Sequence, residues 1–185
     1  MKVILIGSTG FVGREVFRQC LENPSITSIV ALPVVHDFLT YSEVVLNDIK
    51  GAEARIWTLG KAIISNIKMS RKLHIGYTLA AVKAFSQVLA SKVENARKFR
   101  FIYCSCGASM KVEVENQLIA YCQCDSDTIE TYMLRPAIVL SREMSIRSLL
   151  SGLGPSIKVD VVAGVMVDVT LHRYGEQISE NTMSK

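Results

Sequence analysis

The sequence has no long run of lysine and arginine with interleaved aromatics, so nothing in it marks a nucleic-acid-binding face. Its densest basic stretch, "RKFR" at Arg97–Arg100, is a solvated lead-in to a strand. It also has no apolar run long enough for a bilayer: Val159–Leu171 is interrupted by Asp160 and Asp168 and falls short of a span. The opening "MKVILIG" offers four apolar residues before a glycine, too few for the apolar region of a secretion signal, so a cytoplasmic address and no membrane partner are expected. Internal repeats and low-complexity stretches are lacking too. Cysteine is present, but five in a chain without a secretion signal argue for reduced thiols rather than a disulfide framework. The pairs Cys104/Cys106 and Cys122/Cys124 are spaced more tightly than paired zinc ligands usually are, so buried or spectator thiols are expected and no metal site.

What remains is an ordinary globule. With 185 residues, 49% hydrophobic and 21% charged, and a net charge of +4, the chain suits one compact domain with a sizeable core. Short apolar runs alternate with helical periodicity from end to end, the pattern of a parallel sheet covered by helices. Strands are expected at Val3–Ile6, Ile26–Leu32, Ala54–Leu59, Phe99–Cys104 and Ile129–Leu134. Helices are expected at Phe11 to about Leu21, Ser42–Ile49, Leu73–Ser91, Lys111–Tyr121 and Val159–Leu171. In the first helix Phe11, Val12, Val16, Phe17 and Cys20 should face inward. In the third, Ile75, Leu79, Val82, Phe85 and Leu89 form one stripe. The predicted fold class is α/β, a doubly wound Rossmann-like parallel sheet with helices on both faces, in a single domain over 1–185.

The most specific motif is "VILIGSTGFVG", which sets Gly7, Gly10 and Gly13 between a buried strand and a helix. Gly7 permits a tight turn, Gly10 lets a pyrophosphate approach the backbone, and Gly13 lets the helix pack close to the strand. The exposed amides and the positive end of the helix dipole then attract the anionic bridge of a dinucleotide. The plain alternative is a glycine-rich strand–helix turn. In the dinucleotide reading, Gly7, Ser8, Thr9, Gly10, Phe11, Val12 and Gly13 form the binding loop.

The Gly-x-x-Gly-x-x-Gly spacing resembles that of the extended and atypical short-chain dehydrogenase/reductases, the NAD-dependent epimerase/dehydratase-like group, and the likeness runs through most of the chain. "HDF" (His36–Phe38) resembles the segment whose aspartate meets the adenine, which points to Asp37. "WTLG" (Trp57–Gly60) resembles the end of the family's fourth strand, and "HIGYTLAAVKAF" its following helix. "FIYCSCG" resembles the fifth strand with its active serine, and "LRPAIVL" (Leu134–Leu140) the Arg-Pro segment beside the nicotinamide. The resemblance implies an NAD(P)-dependent oxidoreductase acting on a small carbonyl or alcohol. Leu59, Gly60 and Pro136 would line the nicotinamide side. Ser105 would steady a substrate carbonyl, and Lys111 would bind the nicotinamide ribose. A carboxylate ending the second strand would favour NAD and an arginine NADP. Ala31, Leu32 and Pro33 stand there, so neither determinant is visible and NADP is only slightly favoured. Arg14 could meet a phosphate, but it reads more simply as a solvated helix residue.

Two departures from the pattern matter. A parallel crossover needs about a dozen residues, yet only "PVV" separates Leu32 from His36. Either two strands have merged or a crossover near 33–36 is absent. A segment near 107–110 is also short: the position four before Lys111 holds Gly107 where the family has a tyrosine, and a glycine donates no proton. The family asparagine on the preceding helix is replaced by His74, which could substitute as an acid but reads more simply as a surface histidine near a helix start. Tyr103 reads as a packed core tyrosine. The same residues therefore leave room for a non-catalytic NAD(P)-binding regulatory or interaction protein, and for a shortened product that folds poorly.

Overall fold

In the computed structural model, the described residues are 1–32, 38–60, 67–90, 98–105, 116–118, 120, 129–136, 138–142, 156–172, 174 and 178–180. The chain runs through β1 (Lys2–Ile6), α1 (Phe11–Glu22), β2 (Ser28–Leu32), α2 (Glu43–Ile49) and β3 (Ala54–Trp57). A short α3 (Ile67–Arg71) passes through a π-helical turn, Lys72–Gly76, into α4 (Tyr77–Ala90). Then come β4 (Phe99–Cys104), β5 (Ile129–Arg135), β6 (Ile138–Leu140), β7 (Ser156–Lys158), α5 (Val159–Leu171) and β8 (Ile178–Glu180).

Six of these strands form one parallel sheet in the order β2-β1-β3-β4-β5-β8, while β6 and β7 pair parallel in a small second sheet. A parallel sheet must be covered on both faces, and the alternation along the strands shows that it is. Val3 and Leu5 pack with Val16 and Cys20 of α1 and with Val162 and Met166 of α5. Ile4 and Ile6 face the other way, into a cluster with Ile49 of α2 and Val82 and Phe85 of α4. The doubly wound α/β expectation therefore holds.

The strand that follows β2 in sequence, β3, lies on the far side of β1, among the described residues no strand lies outside β2, and α2 belongs to the connection between β2 and β3. Residues 33–37 lie outside the described ones.

Some boundaries differ from the sequence expectation. β2 begins at Ser28 because Ile26 and Thr27 are engaged elsewhere, the Ile26 amide donating to Asn23 O at 3.0 Å and the Thr27 amide to Met1 O at 2.9 Å. β3 ends at Trp57, and although Thr58 still donates to Ile6 O at 2.9 Å, Leu59 and Gly60 leave the ladder. Phe11, expected to face inward, is 55% exposed, while Gly13, Val16 and Cys20 carry the buried face of α1. The short strands β6, β7 and β8 were not anticipated.

A candidate dinucleotide cradle at the sheet's switch point

The chain passes from β1 to β2 on one side, and the next connection, from β2, carries it back across β1 to β3 on the other. Such a switch point opens a crevice at the carboxyl ends of the strands. The residues expected to bind converge on this rim. Gly7 follows β1, Leu59 and Gly60 follow β3, Ser105 follows β4, and Pro136 follows β5.

The loop at β1 is built on close backbone approach. Gly7 has φ +90°, a left-handed conformation that side chains disfavour. A Cβ on Gly7 would stand 2.7 Å from Thr58 Oγ1, and one on Gly13 would stand 1.9 Å from Gly7 O. A Cβ on Gly10 would meet Gly7 O at 3.2 Å. Gly7 and Gly13 are thus required by the close approach of the loop, α1 and Thr58, while Gly10 keeps a contact that a side chain would make tight. The Gly10 amide donates to Gly7 O at 2.9 Å, and the first bond of α1 runs from Arg14 N to Gly10 O at 3.0 Å. Between these, the amides of Phe11, Val12 and Gly13 meet no acceptor among the described residues. Gly10 caps the helix without a side chain, and the first turn carries no acid. The result is an electropositive helix start left open for an anion.

Two side chains brace the loop. Thr58 Oγ1 donates to Ile6 O at 2.9 Å, tying β3 to β1 beside the glycines. Arg14 Nε donates to Thr9 O at 2.9 Å, so this arginine is a staple of the loop rather than only a solvated residue. Glu15, one turn deeper, is held by Arg18 at 2.6 Å and Gln19 at 2.9 Å. The Arg18 hydrogen bond leads the influences that hold its carboxyl down to about 2.

At the end of β4, Ser105 is buried, and its amide donates to Leu134 O at 2.8 Å, which fixes it at the junction of β4 and β5. Tyr103 is a buried core residue, as expected. Cys20 and Cys104 are buried, neither in a disulfide, and burial pushes Cys20 up to about 11. Among the described residues no group of three potential metal ligands occurs, and no helix is long and apolar enough to cross a membrane. Asp37, Gly107 and Lys111 lie outside the described residues, as do Cys106, Cys122 and Cys124.

His74 corrects the surface reading. It is 4% exposed, in the π-helical turn, and a Cβ on Gly60 would meet its Cε1 at 3.3 Å. The π turn inserts a residue ahead of α4 and rotates its inward face, so His74, Thr78, Ala81, Val82 and Phe85 are buried while Ile75 and Leu79 are only half-buried. Thr58 is the residue that sequence reasoning passed over. Its position between two apolar strand residues and "LG" was the available signal.

No family model matches the chain. A nonribosomal peptide synthetase of Aspergillus aculeatus is 25% identical over 108 residues, which cover 52% of this chain and 7% of that protein. The UDP-glucuronic acid 4-epimerase of Bacillus cereus in complex with NAD superposes with a TM-score of 0.73 at 11% identity, over 97% of this chain and 76% of the epimerase. The terminal R domain from the myxalamid PKS-NRPS biosynthetic pathway superposes with a TM-score of 0.69 at 14% identity, over 97% of this chain and 65% of that one. At such identities the likeness carries the fold: this chain has the Rossmann architecture of epimerase- and reductase-type proteins.

Proposed function

We propose that the chain binds a nicotinamide dinucleotide, NADP slightly favoured over NAD, and acts as an oxidoreductase of the extended or atypical short-chain dehydrogenase/reductase type on a small carbonyl or alcohol. The single observation that supports this most is the cradle at Gly7–Gly13, where Gly7 and Gly13 leave no space for a Cβ and the amides at the start of α1 have no other acceptor among the described residues. The residues present fit a pyrophosphate. The amides of Phe11, Val12 and Gly13 would receive it, with Arg14 and Thr58 holding the loop in shape. Leu59, Gly60 and Pro136 would flank the nicotinamide end, and Asp37 would meet the adenine.

A bound nicotinamide supplies hydride transfer, and the protein's part is orientation and proton management. Ser105, fixed by the hydrogen bond from its backbone N–H to Leu134 O, would donate a hydrogen bond from its hydroxyl to a carbonyl oxygen. Lys111 would hold the nicotinamide ribose. Gly107 offers no proton, and a positioned general acid is worth roughly 10²–10⁴-fold in rate, so slow turnover is expected. Among the described residues, the buried His74 is a titratable side chain beside Gly60.

The test is fluorescence titration with NADPH, followed by NADPH oxidation against a panel of small aldehydes and ketones. Binding with slow turnover supports the reading. The Gly107 position favours a second reading, a cofactor-binding protein without chemistry. Binding without turnover would select it, and Gly107→Tyr separates the two, because a gain of turnover identifies an enzyme that lost its acid.

A further inference from the structure

Arg55, the second residue of β3, lies entirely inside the core. Its guanidinium carbon stands 3.9 Å from the Phe101 ring centre, 4.5 Å from that of Phe85 and 4.6 Å from that of Trp57. Stacked rings favour the cation through its face, but they cannot accept the N–H groups that project from its edge. Nε, Nη1 and Nη2 are all buried, and among the described residues none has a hydrogen-bond partner. A buried guanidinium ordinarily pairs with a carboxylate, because the interior strongly disfavours an uncompensated charge.

The neighbouring polar groups, a phenol and an indole, carry no negative charge to offset that of Arg55. Tyr41 packs edge-on against Phe85 with ring centres 5.2 Å apart, so it shares that ring with Arg55. Its hydroxyl is buried and unpartnered, and it lies near enough for the guanidinium charge to act on it. The Trp57 indole nitrogen is buried without a partner too. A buried guanidinium whose N–H groups meet no acceptor among the described residues calls for a group that accepts hydrogen bonds and is negative. Arg55 and Trp57 are fully enclosed, so only an occupant of a few atoms is compatible with the site.

We propose that Arg55 and Tyr41 form an internal site for a compact monoanion of halide, nitrate or formate size. Arg55 supplies the charge and the Tyr41 hydroxyl a second donor. The site is separate from the glycine loop, and the proposal does not depend on dinucleotide binding.

Trp57 is the chain's one tryptophan and lies against Arg55, so its fluorescence reports on the site directly. The protein is exchanged into sodium gluconate, whose anion is too bulky, and titrated with sodium bromide at constant ionic strength. Saturable quenching is expected. Formate, which does not quench, should reverse it. Either ion at a hundredfold its Kd should raise the Tm by roughly 5–10 °C. In Arg55→Met the quenching should become linear and the Tm shift vanish. In Tyr41→Phe, which keeps the ring, half-saturation should move upward on the order of tenfold. Linear quenching of the wild type overturns the proposal, and so does saturable quenching that Tyr41→Phe leaves unmoved. The second result decides the matter even where Arg55→Met does not fold.

Discussion

Gly13→Ala tests the geometry of the cradle most severely. The added Cβ would lie 1.9 Å from Gly7 O, 2.7 Å from Gly7 C and 2.7 Å from Thr58 Oγ1. Two of those three atoms are backbone and cannot rotate away. Carbon–oxygen contact becomes ordinary near 3.5 Å, so α1 would have to retreat about 1.5 Å from β1. That movement loosens the contact of Val16 and Cys20 with Val3 and Leu5. A penalty near the upper end of overpacking effects follows, about 3 kcal/mol. For a chain of this size it lowers the Tm by roughly 6–12 °C. The same retreat carries the amides of Phe11, Val12 and Gly13 out of hydrogen-bond reach of a pyrophosphate. Losing two such bonds weakens binding about 100-fold. Thermal unfolding followed by circular dichroism reads the first effect and NADPH fluorescence titration the second. Gly51→Ala is the control. It has φ +75° but no atom within 4 Å of its Cβ, so about 1–2 kcal/mol of stability is lost and cofactor affinity stays unchanged. A Gly13→Ala protein that melts and binds like the wild type would refute the close approach of α1 to the loop.

Other substitutions give graded outcomes. Thr58→Val removes the bond from Oγ1 to Ile6 O while keeping the shape, and a loss of about 1 kcal/mol is expected in urea unfolding. Glu15→Gln breaks the pairing with Arg18. Since the Glu15 carboxyl is lowered from 4.5 to about 2 in the fold, its stabilisation is present above pH 4.5 and is lost as the pH falls through about 2. The variant should therefore be about 1 kcal/mol less stable at pH 7 and equal to the wild type near pH 2, as read by denaturant midpoints across that range. Gly60→Ala brings a Cβ to 3.3 Å from the His74 Cε1, a tight contact that the imidazole can relieve by a small rotation. NADPH affinity should fall less than tenfold with the Tm nearly unchanged, and a large Tm loss would show that His74 cannot yield.

The fold was legible where a residue's burial follows from period alone. Val3 to Ile6 are wholly apolar and wholly buried, and α1, α2, β4 and α5 begin and end within a residue or two of their patterns. The glycine loop was legible because φ +90° and the absence of space for a Cβ both act on residue type. His74 was misread because a π turn adds a residue without changing the sequence's apolar count, and this turns the inward face of α4 toward a position that looks polar. Arg55 escaped notice for a related reason. A strand's burial is set by its neighbours, and β3 is central in the sheet, so even an arginine there is enclosed. The strands β6, β7 and β8 each have only three residues, too few to show an alternation. Their pairing depends on tertiary context.

Isothermal titration calorimetry of the folded protein with NAD and with NADP addresses the central claim directly. Saturable heat with at least one dinucleotide, abolished or sharply weakened in Gly13→Ala, is the predicted result. A protein that melts cooperatively yet gives no heat with either ligand at millimolar concentration would contradict it.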